Sequence, residues 1–519
     1  MNGLLKGLKE KENVTRTENG AVTYKSTLNK VYDLFATGAS MRGANESTCM
    51  NLFKEAYEES PTMALKCLFY LRDVRGGQGE RRFFRLAMKW LASKYPQEAK
   101  RMIPLVSIYG RYDDLYVFVD TSCEKQMFGY LKILVDTDAD HLVYKWLKSE
   151  NCSSRDSKLL ARRTREAFGM TPREYRKMLT EGRKNCHLVE TLMSQNRWNE
   201  IEFQKLPSRA GMLYRNAFAR REETKERYEE FMRNEKTAVH AGTLYPYDVV
   251  HAVGELWSHS WHGRDIVVDV NDVHRLAINK YWDNLTDYFN GASLNALVVC
   301  DTSGSMLSGF NSKIAPIDVA ISLALYTAER ANGPFHNHFI SFSSTPKLIE
   351  TRGVDFCDKV TRIYNQNLCE NTNIEATFDL ILNTAKAAKL SQDELPEHLV
   401  IVSDMQFDMA RGAYSYWGHS EADDTKTLME KIRGKWRLAG YQMPKLVFWN
   451  VNANVGGGSI PMKDEDGITF VSGASPVIFE QIMKGKTAQD LMYDKLLSDR
   501  YKAITSVYGN KIPAHYDWE

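Results

Sequence analysis

The sequence predicts a multidomain chain, an N-terminal all-α solenoid of paired helices followed by a C-terminal α/β doubly wound domain. Three observations carry that prediction. At 519 residues the chain exceeds what one hydrophobic core organises. From about residue 27 to 260, apolar residues recur at helical spacing between polar or glycine-bearing breaks, and from about 294 to 510 short apolar runs alternate with helical stretches.

In the first half, residues 63–71 and 82–91 each place apolar side chains on a broad helical face. Between them, residues 74–80 carry Gly76, Gly77 and Gly79, which end one helix and reverse the chain. The stretch follows no strand and lacks the Gly-Lys-Ser/Thr ending of a phosphate-binding loop, so a turn is expected. Pro104, Pro172, Pro207 and Pro246 are expected near helix starts or breaks, where a missing amide costs least. In the second half, strands are expected at 294–300, 335–342, 398–403, 445–450 and 468–472, with helices at 316–330, 374–390 and 425–438. Residues 408–424, rich in Gly, Tyr, Ser and Trp, read as an inserted loop. The expected domains are therefore a flexible N-terminus (1–26), a helical-repeat domain (27–290), the α/β domain (291–510) and a tail (511–519).

Composition excludes several classes. Hydrophobic and charged shares of 43% and 26% are those of an ordinary globular protein. A net charge of +2 rules out a polycation, so any nucleic-acid surface is local. The eight cysteines form no CxxC pair, which speaks against structural zinc and a disulfide framework. The polar N-terminal 17 residues have no apolar signal region, and no run of about 18 apolar residues occurs. A cytoplasmic protein without membrane attachment is expected.

The segment Asp301-Thr302-Ser303-Gly304-Ser305-Met306 ends the first expected strand of the α/β domain and places a carboxylate and two serine hydroxyls on one turn. Hard divalent cations such as Mg2+ or Mn2+ take oxygen ligands in octahedral array. Asn371-Thr372-Asn373 and the strand-terminal Asp404 offer the rest. An aspartic protease also uses Asp-Thr-Ser-Gly, but it needs a second such carboxylate, and the chain has no second copy. The order of these pieces resembles the metal-ion-dependent adhesion site (MIDAS) of von Willebrand factor A domains, Asp-x-Ser-x-Ser with a distant Thr and a distant Asp. The resemblance implies metal binding by Asp301, Ser303, Ser305, Thr372 and Asp404, with an open position for a carboxylate or phosphate from a partner. The usual Gly after the last Asp is Met405 here.

Between residues 151 and 220 basic residues exceed acidic ones. Lys158, Arg162 and Arg165 share one helical face, Arg173, Arg176 and Lys177 another, with Arg183 and Lys184 following. A solvated helix face is the plain alternative to an RNA-binding surface.

Residues 71–81 (LRDVRGGQGER), 109–115 (YGRYDDL) and 172–177 (PREYRK), continuing through Trp198, 206–208 and 214–218, resemble the TROVE helical-repeat module of Ro ribonucleoproteins, above all their viral and plant relatives. Residues 496–504 (LLSDRYKAI) resemble the ending of the same proteins. That resemblance implies a monomeric ring of HEAT-like helix pairs closed by an A domain, binding small noncoding RNA. The expected function is non-enzymatic RNA binding with a Mg2+-dependent site that docks an acidic protein or phosphate ligand. The alternatives are a protein-interaction scaffold that binds no RNA, and a Mg2+-dependent nuclease.

Overall fold

The computed structural model describes residues 12–16, 22–137, 141–259, 266–267, 272–289, 291, 293–307, 315–342, 346–366, 373–405, 428–452, 467–479 and 488–508. Thr372, the 408–424 insertion and the 511–519 tail lie outside the described residues. The two-part architecture is present: a helix-rich region and a six-stranded sheet flanked by helices. Two compact units form, and they interleave along the chain: Met1–Glu59 with Leu244–Lys495, and Ser60–Thr243 with Leu496–Glu519.

Two short antiparallel pairs belong to the first unit, β1 (Val14–Arg16) with β2 (Val22–Tyr24) and β3 (Ser258–His259) with β4 (Ile266–Val267). The first lies within the segment expected to be a flexible N-terminus. The main sheet holds β5 (Ala296–Asp301), β6 (His338–Phe342), β7 (Lys347–Glu350), β8 (His398–Ser403), β9 (Lys445–Asn450) and β10 (Ile468–Ser472) in the order β10-β9-β8-β5-β6-β7. Every pairing is parallel except β6 with β7. β5 and β8 are buried along their whole length, as strands covered on both faces must be, which is why they read as unbroken apolar runs. The chain first builds outward from β5 through β6 and β7, then crosses to β8 on the other side. That reversal opens a crevice between the carboxyl ends of β5 and β8, where doubly wound sheets bind ligands.

Sequence patterning misses β7, a short edge strand with only Ile349 buried. At the opposite edge, the Tyr32 hydroxyl donates to the Phe470 carbonyl (3.4 Å) and accepts from the Phe470 amide (3.0 Å), so helix Lys30–Thr37 occupies the open hydrogen-bonding side of β10. Helices Pro246–Gly254 and Val273–Asp283 also pack in this unit, against Pro316–Arg330 and Phe356–Tyr364. Arg275 holds Asp355 through two parallel bonds of 2.7 and 2.8 Å.

In the second unit, helices Pro61–Arg72, Arg82–Lys94, Pro96–Tyr109, Glu124–Asp136 and Leu142–Trp146 each pack on the next, while Arg155–Ala167 packs on Glu124–Asp136 and Pro172–Asn185 on Leu142–Trp146. Pro172 and Pro246 open helices, each in its own unit, and Pro207 caps one. Pro104 departs from expectation and sits inside Pro96–Tyr109, where its neighbours Met102, Ile103, Leu105 and Val106 are buried and hold the helix together despite the missing amide. The 74–80 segment is a turn whose amides return to Tyr70, Leu71 and Asp73 carbonyls, and a Cβ on Gly77 would lie 1.9 Å from the Tyr70 oxygen. Into that turn docks the C-terminal segment: Arg500 grips Asp73, the Tyr501 hydroxyl donates to Asp73 at 3.0 Å, and the Tyr501 ring stacks on Tyr109. Among the described residues, no helix is long and apolar enough to cross a membrane.

Fully buried Asp114 is the polar centre of this unit. Arg72 donates to it at 2.6 and 2.9 Å, Arg81 at 2.9 Å, Arg85 at 2.8 Å and the Arg111 amide at 3.1 Å. Burial alone would raise its carboxyl, but the Arg72 and Arg85 charges and the bonds from Arg81 and Arg72 outweigh that and bring it down to about 2. Its folded value is depressed, so its stabilisation is complete above the ordinary carboxyl range near 4 and disappears as pH falls through about 2. Asp114→Asn leaves buried guanidinium charge uncompensated and is expected to cost about 3–5 kcal/mol. Denaturant unfolding at pH 7 and pH 3 checks this: the deficit should be large at pH 7 and smaller at pH 3, and equal midpoints at pH 7 would contradict it.

Candidate metal centre and basic helices

Asp301 is the last residue of β5 and is fully buried. Its Oδ1 accepts the Ser303 amide at 2.9 Å and its Oδ2 accepts the Ser403 hydroxyl at 2.6 Å. The chain then turns through a short 3-10 segment, Gly304–Leu307, anchored by the fully buried Met306. That turn leaves Ser303 buried and Ser305 exposed, with their hydroxyl oxygens 3.1 Å apart. Parallel pairing of Cys300 with Val402 brings the end of β8 alongside, and Asp404 follows at 1% exposure.

Burial, and after it the charge of Asp404, push the Asp301 carboxyl up to about 7. Two carboxylates are thus held together out of water, an arrangement that a divalent cation relieves. The serine oxygens fit such an ion as well. Neighbouring positions of an octahedral magnesium with bonds of about 2.1 Å lie about 3 Å apart, close to the observed serine spacing. The donor set present therefore suits a small hard cation.

Four of the five expected ligands, Asp301, Ser303, Ser305 and Asp404, meet at this crevice, and Thr372 lies outside the described residues. Asn373 beside it caps helix Ile374–Ala388 by accepting the Ala376 amide. Met405 has φ +63°, the left-handed conformation that a glycine adopts freely, and it is buried. A glycine-like backbone is retained without the glycine. Its amide donates to Ser403 Oγ at 3.0 Å, so Ser403 ties the loop after β8 to Asp301. Ser403 was not among the expected site residues; its position just before a strand-terminal Asp is the one available signal.

The basic residues stand on helices Arg155–Ala167 and Pro172–Asn185. Lys158, Arg162, Arg173, Arg176, Lys177 and Lys184 are exposed. Arg165 and Arg183 are engaged internally. Arg165 bonds Glu150 (2.9 Å) and the Met170 carbonyl, and Arg183 bonds the Tyr144 and Leu147 carbonyls and Ser149.

A family model described as "domain of unknown function (DUF2828)" matches residues 17–175 and 133–292, together more than half the chain. The chain belongs to the DUF2828 family. In this DUF2828 protein a second model, "domain of unknown function (DUF7788)", covers residues 295–505, which include the sheet and the carboxylate pair. The chain is similar to "Uncharacterized protein L728" of Acanthamoeba polyphaga mimivirus, at 28% identity over 510 residues, covering 91% of this chain and 85% of that protein. Among solved structures it is similar to the Ro (RSR) protein of Deinococcus radiodurans, at 14% identity and a TM-score of 0.44, covering 91% of this chain and 99% of that one.

If the crevice holds a cation, Mg2+ should raise the thermal midpoint, by the equivalent of about 2.7 kcal/mol at a hundredfold excess over its dissociation constant. Ser303→Ala should lose that response. Asp301→Asn should also lose it, while melting at or above the wild type in chelator because one of two repelling carboxylates is neutral. An identical Mg2+ response in all three proteins, read by calorimetry, would contradict the assignment.

Proposed function

We propose that the chain is a non-enzymatic RNA-binding protein that takes small structured noncoding RNA on its basic helices and acts as a monomer. Its A-type domain docks an acidic side chain or phosphate of a partner through a Mg2+ or Mn2+ ion. The observation that carries the RNA reading is the set of six exposed cations on two successive helices, Lys158, Arg162, Arg173, Arg176, Lys177 and Lys184. The resemblance of residues 71–81, 109–115 and 172–177 to the Ro module supports it.

Asp301, Ser303, Ser305 and Asp404, with Thr372 as the resemblance implies, would hold the ion, which supplies an electrophilic position for an anionic ligand. Most of these ligands are neutral hydroxyls, so the cation keeps its pull on a partner's oxygen. Asp301 and Ser403 are fixed by the Ser303 and Met405 amides and by the bond from the Ser403 hydroxyl to Asp301, an arrangement suited to docking.

RNA affinity should fall steeply with salt, because each neutralised phosphate contributes about 0.7 to 0.9 to the slope of log affinity on log salt. Reversing Arg173, Arg176 and Lys177 to Glu should flatten that slope by about 2 to 3 and leave the Mg2+ response intact. Fluorescence anisotropy with a hairpin bearing a single-stranded tail, at two salt concentrations, measures both. Absence of binding at low salt would sink the RNA reading and leave a protein scaffold; Mg2+-dependent shortening of the RNA, lost in Asp301→Ala, would make the chain a nuclease.

A further inference from the structure

The arginine cluster around Asp113 and Asp114 is more cationic than its own fold requires. Arg81, Arg85, Arg111 and Lys148 all reach Asp113, with Arg111 Nε at 3.0 Å, Arg85 Nη2 at 3.8 Å and Lys148 Nζ at 3.9 Å, and Arg72 completes the set on Asp114. Among the described residues, every ion pair these five bases make ends on one of those two carboxylates. Five positive groups thus share two negative ones. Burial lowers the Lys148 ammonium, and against the pull of Asp113 the guanidiniums of Arg81, Arg85 and Arg111 lower it further. The Arg111 guanidinium is lowered by burial and, despite Asp113, by Arg81.

Donor geometry says where the surplus points. Arg81 and Arg111 spend Nε and Nη2 on the two carboxylates, Arg85 spends Nε on Asp114 and Nη2 on the Asp113 main-chain carbonyl, and among the described residues the three Nη1 groups make no hydrogen bond. A guanidinium offers five N–H donors in a fixed fork, so among the described residues three amino groups keep unspent donors in the same cluster as the Lys148 ammonium. These side chains keep 37, 36, 34 and 26% exposure in the order Arg81, Arg85, Arg111, Lys148, so the outer rim of the cluster is open. Arg111 lies 4.2 Å over the Trp146 ring, which fixes its plane. A network serving stability alone gains nothing from a fourth cation 3.9 Å from an already saturated carboxylate.

The geometry points to a phosphate-binding site formed by Arg81, Arg85, Arg111 and Lys148, with Asp113 and Asp114 as the inner struts that hold the guanidiniums in a fixed array. The ligand class is a phosphate group, with charge and oxygen lone pairs that match a preorganised guanidinium rim. It rests on the RNA reading only for the source of that phosphate, an RNA backbone as opposed to a free phosphate. None of its four cations belongs to helices Arg155–Ala167 and Pro172–Asn185, although the Tyr175 hydroxyl of the second helix donates to the Lys148 carbonyl at 2.8 Å.

Lys148→Gln tests it with little structural risk, because among the described residues the lysine's only ion pair is the 3.9 Å contact with Asp113; Arg85→Gln serves as the second variant. In the full-length protein, inorganic phosphate at millimolar concentration should raise the thermal midpoint above that in chloride of equal ionic strength, and both variants should lose most of that rise. RNA affinity at low salt should fall about tenfold in Lys148→Gln while its thermal midpoint in chloride stays at or above the wild type. A phosphate response lost in both variants, without any RNA binding by the wild type, would uphold the site and remove the RNA reading; the same loss with unchanged RNA affinity would assign the site to a free phosphate, and a phosphate response that both variants retain would overturn it. Equal midpoints in phosphate and chloride for the wild type, with RNA affinity unchanged in both variants, would overturn the site.

Discussion

Two carboxylates held out of water at the junction of β5 and β8 set the conditions for the α/β unit. Parallel pairing puts Asp301 and Asp404 at the same end of adjacent strands, and the reversal of strand order there leaves a crevice above them. Like charges in a low dielectric repel strongly. The surrounding loop answers with neutral donors: the Ser303 amide and Ser403 hydroxyl on Asp301, and a left-handed Met405 that swings its own amide onto Ser403. A small cation bound there would offset that repulsion.

The helical unit shows the opposite imbalance. Its two aspartates are oversupplied with arginine, and the motif segments that resemble the Ro module are the ones that build this cluster: residues 71–81 bring Arg72 and Arg81, and residues 109–115 bring Arg111, Asp113 and Asp114. The same motifs meet the C-terminal segment, because Asp73 receives Arg500 and Tyr501. Local resemblance along the chain is thereby converted into one three-dimensional cluster, with Gly77 and Gly110 allowing the backbone to approach where a Cβ would collide. A buried, fully bonded core and an open cationic rim are two layers of one construction.

Strands 398–403, 445–450 and 468–472 were legible to the residue because buried parallel strands are continuous apolar runs with abrupt ends. β7 was not, since an edge strand with a single buried side chain leaves no such run. The order Asp301, Ser303, Ser305, then Asp404 was readable because strand ends position ligands. Ser403 was not, because its partner is more than a hundred residues away and a hydroxyl carries no pattern of its own. Lys30–Thr37 is buried on all sides from Val31 to Thr37, and nothing in its spacing says that Tyr32 meets β10. Arg165 and Arg183 look like their exposed neighbours in sequence; only the fold shows carbonyls and Glu150 within their reach.

The most direct measurement is anomalous scattering from crystals grown with manganese. A cation that completes the Asp301 and Asp404 pair gives a peak at about 2.2 Å from the Ser303 and Ser305 hydroxyl oxygens, a distance proper to a hard six-coordinate ion. Manganese bound only elsewhere, or no peak above this loop at millimolar manganese, would contradict the account that this crevice is a metal-dependent docking site.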